Sequence, residues 1–160
     1  MVHLARPLEL RPFRLADAST VEPWLCGPGL SLPSGALRRE WPQRLLADAR
    51  IVLLVAEAGG RQVGLVRLDC GPDRIAELTL VVAPGCRRGG LGRKMFRAAL
   101  EQARGLGLRS LTALVDLDNS AALAFFQEMG FQSEGLAGGR LRLCRIVHAG
   151  DHQRPLEIEL

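Results

Sequence analysis

The chain has 160 residues, 48% of them hydrophobic and 24% charged, with a net charge of +4 at pH 7. That is the size and balance of one soluble globular domain, and no run approaches the roughly eighteen apolar residues of a membrane span. Nearly all the positive charge is arginine, Lys94 being the one lysine, and its even spread favours a solvated surface and an anionic ligand over a nucleic-acid partner.

Residues 1–7 lack the long apolar core of a signal peptide, which makes the cytoplasm the expected location. Residues 8–13 (Leu-Glu-Leu-Arg-Pro-Phe) alternate and read as a first strand. Residues 15–25 follow as a helix, broken by Gly27-Pro28-Gly29. Ser34 caps a second helix, reaching about residue 48, with Leu37, Trp41, Leu45 and Leu46 on its apolar stripe. Residues 51–56 and 62–68 form a hairpin around Ala58-Gly59-Gly60.

A strand over 74–82 leads into a loop, then a helix over about 90–105 with Leu91, Met95, Ala98 and Ala99 at helical spacing, stopped by Gly105-Leu106-Gly107. Residues 109–115 are a leucine-rich strand. Asn119 or Ser120 starts a helix to Met129, and Gly130 stops it. Residues 131–136 and 140–147 form a last hairpin around Gly138-Gly139, while 156–160 reads as a further strand or a free tail. A strand–helix–strand centre between hairpins is an α/β sandwich with a mixed sheet, in a single domain over 1–160.

The loop carries the chemistry. Arg87-Arg88-Gly89-Gly90-Leu91-Gly92-Arg93 joins a strand ending in Val82-Ala83-Pro84 to a helix start. Unpaired N–H groups of a first helical turn, together with the helix dipole, attract anions. Gly90 and Gly92 let a phosphate approach the backbone, and Arg87, Arg88 and Arg93 add charge. A mononucleotide P-loop fails because Leu91 stands where Lys is required after Gly90. A dinucleotide fingerprint begun at Gly90-Leu91-Gly92 meets Met95 at its third small position, with no acidic residue about twenty positions beyond.

The pattern Arg87-x-x-Gly90-x-Gly92 after Val-x-Pro resembles the pyrophosphate loop of the GCN5-related N-acetyltransferases, the GNAT superfamily. Downstream, Asp118-Asn119-Ser120-Ala121-Ala122-Leu123-Ala124-Phe125-Phe126-Gln127-Glu128-Met129-Gly130-Phe131 resembles the family's second block, an Asn ahead of a helix with paired aromatics that ends in Gly-Phe. The two blocks together span Glu77 to Phe131, about a third of the chain. The resemblance implies a three-layer α/β/α fold with a mixed, mostly antiparallel central sheet. Its fourth and fifth strands splay apart, and the pantetheine arm of acetyl-CoA lies in the gap. Acetyl-CoA is then the acyl donor, a primary amine of a small molecule or protein the acceptor, and no metal is involved. A homodimer through the last strands is common in the family. A domain that binds acyl-CoA without turnover is the alternative.

Acetyl transfer to an amine needs a base, an oxyanion donor and a way to release the thiolate. Backbone N–H groups around Leu80, Val81 and Val82 are the oxyanion and pantetheine candidates. Arg87, Arg88, Gly89, Gly90, Leu91, Gly92 and Arg93 are the pyrophosphate set. Asn119 either binds the pantetheine arm or an ordered water, or caps its helix. Phe125 belongs to the cofactor-binding set, and both Phe125 and Phe126 read as core or substrate platform. Glu77 is the base candidate, sharing a strand face with Thr79 and Val81; its bland alternative is a solvated residue or an arginine partner.

Two departures from the family stand out. Many members have a Tyr acid where Phe126 stands, and this chain has no Tyr, which leaves water or Cys144 as proton source, a reaction run without an acid, or a weak activity. Protein N-terminal acetyltransferases often carry a Glu where Leu114 stands. Cys26, Cys70, Cys86 and Cys144 form no C-x-x-C pair and read as free thiols, with Cys86 beside Arg87 either a thiolate or a small loop residue. Trp24 and Trp41 wall an acceptor pocket or sit in the core. His3, His148 and His152 have no partner spacing.

Overall fold

The computed structural model describes residues 7–25, 39–87 and 89–148. Among these, seven strands form one mixed sheet: β1 (Leu8–Pro12), β2 (Ile51–Ala58), β3 (Arg61–Cys70), β4 (Ile75–Val82), β5 (Ser110–Asp116), β6 (Gln132–Ala137) and β7 (Arg140–Ile146). Their order is β1-β2-β3-β4-β5-β7-β6. The α-helices are α1 (Ala18–Val21), α2 (Trp41–Ala47), α3 (Leu91–Gly105) and α4 (Ser120–Glu128). None is long and apolar enough to cross a membrane.

Every neighbouring pair is antiparallel except β4 and β5. Those two pair only at Ile75–Ser110, Ala76–Leu111 and Glu77–Thr112. β4 keeps its partner β3 from Ala76 to Val82, and β5 keeps β7 along its whole length. Two antiparallel ladders thus pull against one short parallel seam, the weaker kind of pairing, and the seam opens beyond Glu77.

Alternation along the strands gives the sheet two apolar faces. One face packs Leu53, Val55, Leu65 and Val81 with Phe13, Val21 and Trp41, under α1 and α2. The other packs Leu54, Val66, Leu68, Leu78, Leu111 and Leu143 with Met95, Phe96 and Ala99 of α3. Close docking of α3 depends on Gly64 of β3. A Cβ there would overlap Met95 Sδ and lie 2.8 Å from the Val81 carbonyl oxygen.

The first layer is tied to the sheet through Asp17, the one buried charged residue among those described. Its carboxylate accepts from Arg11 at 2.7 and 2.8 Å, from Gln62 Nε2 at 2.7 Å and from the Arg14 backbone N–H at 2.8 Å. Arg11 also meets Glu57 at 2.9 Å.

The structure corrects several expected elements. Residues 15–25 are not one helix: single 3₁₀ turns at Leu15–Asp17 and Glu22–Trp24 flank the four-residue α1. Pro23 has no N–H to continue the α pattern, and Leu25 N instead donates to Glu22 O. In α2, Leu46 is 44% exposed and Pro42 is buried beside Trp41, because Leu46 lies a full 100° around the helix from Leu45; Ser34 and Leu37 lie outside the described residues. The buried stripe of α3 is Met95, Phe96, Ala99, Leu100 and Ala103, with Leu91 and Ala98 only half-buried. Residues 156–160 also lie outside the described residues.

Candidate active site

The Pro84–Cys86 3₁₀ turn ends β4, and Gly90 then caps α3 in the left-handed region, at φ 73°. Glycine adopts that conformation without steric cost. It also leaves no side chain to cap the helix. The first intrahelical bond is Lys94 N to Gly90 O, so the N–H groups of Leu91, Gly92 and Arg93 have no acceptor within α3.

These groups open into a cleft of about 550 Å³ that also takes in Val82, Arg87, Phe125 and Glu128. Cys86 lines it, half-buried. Gly89 is exposed in the same loop, and Arg88 lies outside the described residues. Arg93 does not stand free in this cleft. It bridges across to Glu128 at the end of α4, at 2.5 Å.

A second cleft, of about 160 Å³, is the gap between β4 and β5. The helix α4 separates the two. Its Asn119–Ala122–Phe126 flank faces the gap, and its Ala121–Ala124–Phe125 flank faces the other cleft. Asn119 caps α4, its Oδ1 accepting from Ala122 N at 3.1 Å. Phe126 packs edge-on against Phe125 and Phe131 while bordering the gap.

Two hydrogen bonds fix which way the β4 backbone points. Ala83 N donates to Val63 O at 2.9 Å, and Arg109 N donates to Arg74 O at 2.7 Å. Odd-numbered residues therefore turn their N–H and C=O toward β3, and even-numbered ones toward β5. Leu80 and Val82, beyond the last parallel pair, present backbone groups to the gap. Val81 does not: its backbone faces β3 and its side chain is in the core under α2. Of the expected Leu80–Val81–Val82 set, the two even members are the ones whose backbone faces the gap.

Glu77 stands at the closed end of the gap, half-buried. Its neighbour across β3 is Asp69, whose carboxylate accepts two bonds from Arg67 at 2.6 and 2.9 Å. Among the described residues, the other buried or half-buried carboxylates are all engaged: Asp17 and Glu57 with Arg11, Asp48 with Arg50, Asp69 with Arg67, Asp116 with Arg140, and Glu22 with the Trp41 indole. Among the buried and half-buried carboxylates of the described residues, Glu77 alone has no cationic or hydrogen-bonding partner within those residues.

Other residues singled out in the sequence sit elsewhere. Trp41 is buried, with its indole on Glu22 and its ring 5.8 Å from Phe13, so it is core. Trp24 is a half-buried flank of the same cluster. Cys144 lies on β7 opposite Thr112, two strands from Glu77 and outside the gap lining; burial pushes its thiol pKa up. His148 is exposed, and its backbone oxygen accepts from Arg104. Leu114 and Thr79 line the gap, as do Asp116 and Arg140, which the sequence reading passed over. It also missed Glu128, although the i, i+3 spacing from Phe125 puts the two on one helical flank.

A family model described as Acetyltransferase (GNAT) family matches residues 18–131. The N-alpha-acetyltransferase RimI of Mycobacterium tuberculosis is 37% identical over 117 residues, covering 68% of this chain and 70% of that protein. An uncharacterized N-acetyltransferase of Methanocaldococcus jannaschii, MJ1207, is 30% identical over 100 residues, covering 58% of this chain but only 44% of its own length. The first curated relatives are thus spanned to less than half. Among solved structures, the spermidine N-acetyltransferase of Vibrio cholerae in complex with CoA and spermine superposes with a TM-score of 0.75. It is 22% identical, with 88% of this chain and 95% of that one covered, a likeness of fold.

Proposed function

Because the chain belongs to the GNAT family of acetyltransferases, we propose that it transfers an acetyl group from acetyl-CoA to a primary amine of a small molecule or protein. The observation that carries the reading is the pairing of two adjoining clefts. Among the described residues, one offers helix N–H groups without an intrahelical acceptor, and arginines; the other offers unpaired strand backbone and an unpartnered carboxylate. The first suits a pyrophosphate, and the second an extended amide-bearing arm with a thioester at its end.

The residues fit that donor. Arg87, Arg93 and the first N–H groups of α3 hold the pyrophosphate charge. Leu80 and Val82 hydrogen-bond the pantetheine arm, and one of their N–H groups stabilises the carbonyl oxygen as the amine attacks. Asn119 borders the arm while it caps α4, and Phe125 walls the phosphate cleft. Glu77 takes the proton that the amine sheds, directly or through a water. As the new C–N bond forms, the C–S bond breaks, and CoA leaves as a thiolate that takes its proton from water.

RimI is an N-alpha-acetyltransferase, so N-terminal peptides belong first among acceptors to try, even though Leu114 lacks the carboxylate many such enzymes carry. The absence of any Tyr keeps a second reading in view, an acyl-CoA-binding domain without turnover.

The test is thiol release from acetyl-CoA with peptides, polyamines, amino acids and aminoglycosides, wild type beside Glu77→Gln. The expected result is release with one amine class, reduced about 10²-fold or more in the variant, the scale of a lost general base. Undiminished release would remove Glu77 from the mechanism. Binding of acetyl-CoA with no release from any amine would favour the second reading.

A further inference from the structure

The Arg93–Glu128 bridge sets two charges against their own helices. Arg93 is in the first turn of α3, where the dipole disfavours a cation, and Glu128 is the last residue of α4, where it disfavours an anion. Each position costs helix stability by itself, and the 2.5 Å pairing relieves both. The pair spans the cleft into which the free N–H groups of α3 point.

Glu128 is the only carboxylate among the described residues lining that cleft. A pyrophosphate arriving there and the Glu128 carboxylate both need the Arg93 guanidinium. The two residues are about half exposed, so an exchange between them costs little.

Resting on the reading of this cleft as a CoA site, we infer that Glu128 is an internal competitor for Arg93 that weakens CoA binding and eases its release. In the free protein Glu128 neutralises Arg93. In the bound protein Arg93 turns to phosphate and Glu128 loses its partner. The unusual consequence is that deleting a residue that lines the site should tighten it.

The experiment is calorimetric titration of CoA into wild type, Glu128→Gln, Arg93→Gln and the double variant. The expected outcome is a Kd about twofold to fivefold lower in Glu128→Gln, the range a partly exposed ion pair supports. Arg93→Gln should raise Kd, and Glu128→Gln should then gain less in that background than in wild type. An unchanged or higher Kd in Glu128→Gln would overturn the inference, since the bridge would then be a support kept in the bound state. Equal gains in both backgrounds would also overturn it, leaving only a general charge effect. Wild type that takes up no CoA would instead sink the parent reading, and this inference with it.

Discussion

Phe125 Cε1 lies 3.2 Å from the point that a Cβ on Gly92 would occupy. The ring closes over the first turn of α3, so the floor of the phosphate cleft and the aromatic on α4 are fitted to each other. Gly92→Ala tests this with opposite signs on two observables. Alanine is the better helix former by about 1 kcal/mol, so the melting temperature should hold or rise. The methyl must push Phe125 by a few tenths of an ångström toward the cleft, so Kd for CoA should rise about threefold to tenfold. Weaker binding without lost stability, read by thermal melting and calorimetry, is the expected pair of results.

Acid stability should depend on Asp17. Hydrogen bonds from Arg11 first, then from the Arg14 N–H and Gln62, hold its carboxyl well below the usual carboxylate range, against the opposing effect of burial. The unfolded chain, with a carboxyl pKa of about 4, therefore binds a proton before the folded one does. The stabilisation is complete above about pH 5 and drains as pH falls through 4 toward the folded value. In that window the wild-type unfolding free energy should fall more steeply than that of Asp17→Asn, by up to one proton, or about 1.4 kcal/mol per pH unit. At neutral pH the variant should be weaker by about 2–4 kcal/mol, because Arg11 and Gln62 lose their shared acceptor. Denaturant unfolding at pH 7, 4.5 and 3 measures both effects, and parallel curves would remove Asp17 from the account.

What could be read in the sequence follows how local each cause is. The Gly90 turn, the start of α3 and the Asn119 cap are set by a few adjacent residues, and each stands where the residue types put it. The face shared by Glu77, Thr79 and Val81 follows from strand alternation alone. The broken first helix also had a local cause, since Pro23 lies near its C-terminal end. The backbone phase that excludes Val81 had no local sign, because it depends on which neighbour β4 pairs with. Glu128 was missed for a related reason. Its partner Arg93 is 35 positions away, and only the packing of α4 beside α3 brings the two together.

Phe126 tests whether thiolate departure limits the reaction. Its ring borders the gap beside Leu80, and its neighbours Phe125 and Phe131 meet it edge-on, so a hydroxyl added at the ring's tip need not disturb the aromatic packing. Phe126→Tyr would put the chain's first phenol there. A thiol of pKa about 8.5 is a fair leaving group without help, so the gain should fall short of the hundredfold or more that general acids supply elsewhere. The expected outcome is kcat higher by about twofold to tenfold at pH 7, measured as thiol release. The advantage should fade above pH 9, where a free thiolate persists in water. A rate unchanged at every pH would mean that water already protonates the thiolate fast enough, and that the missing Tyr costs this chain nothing.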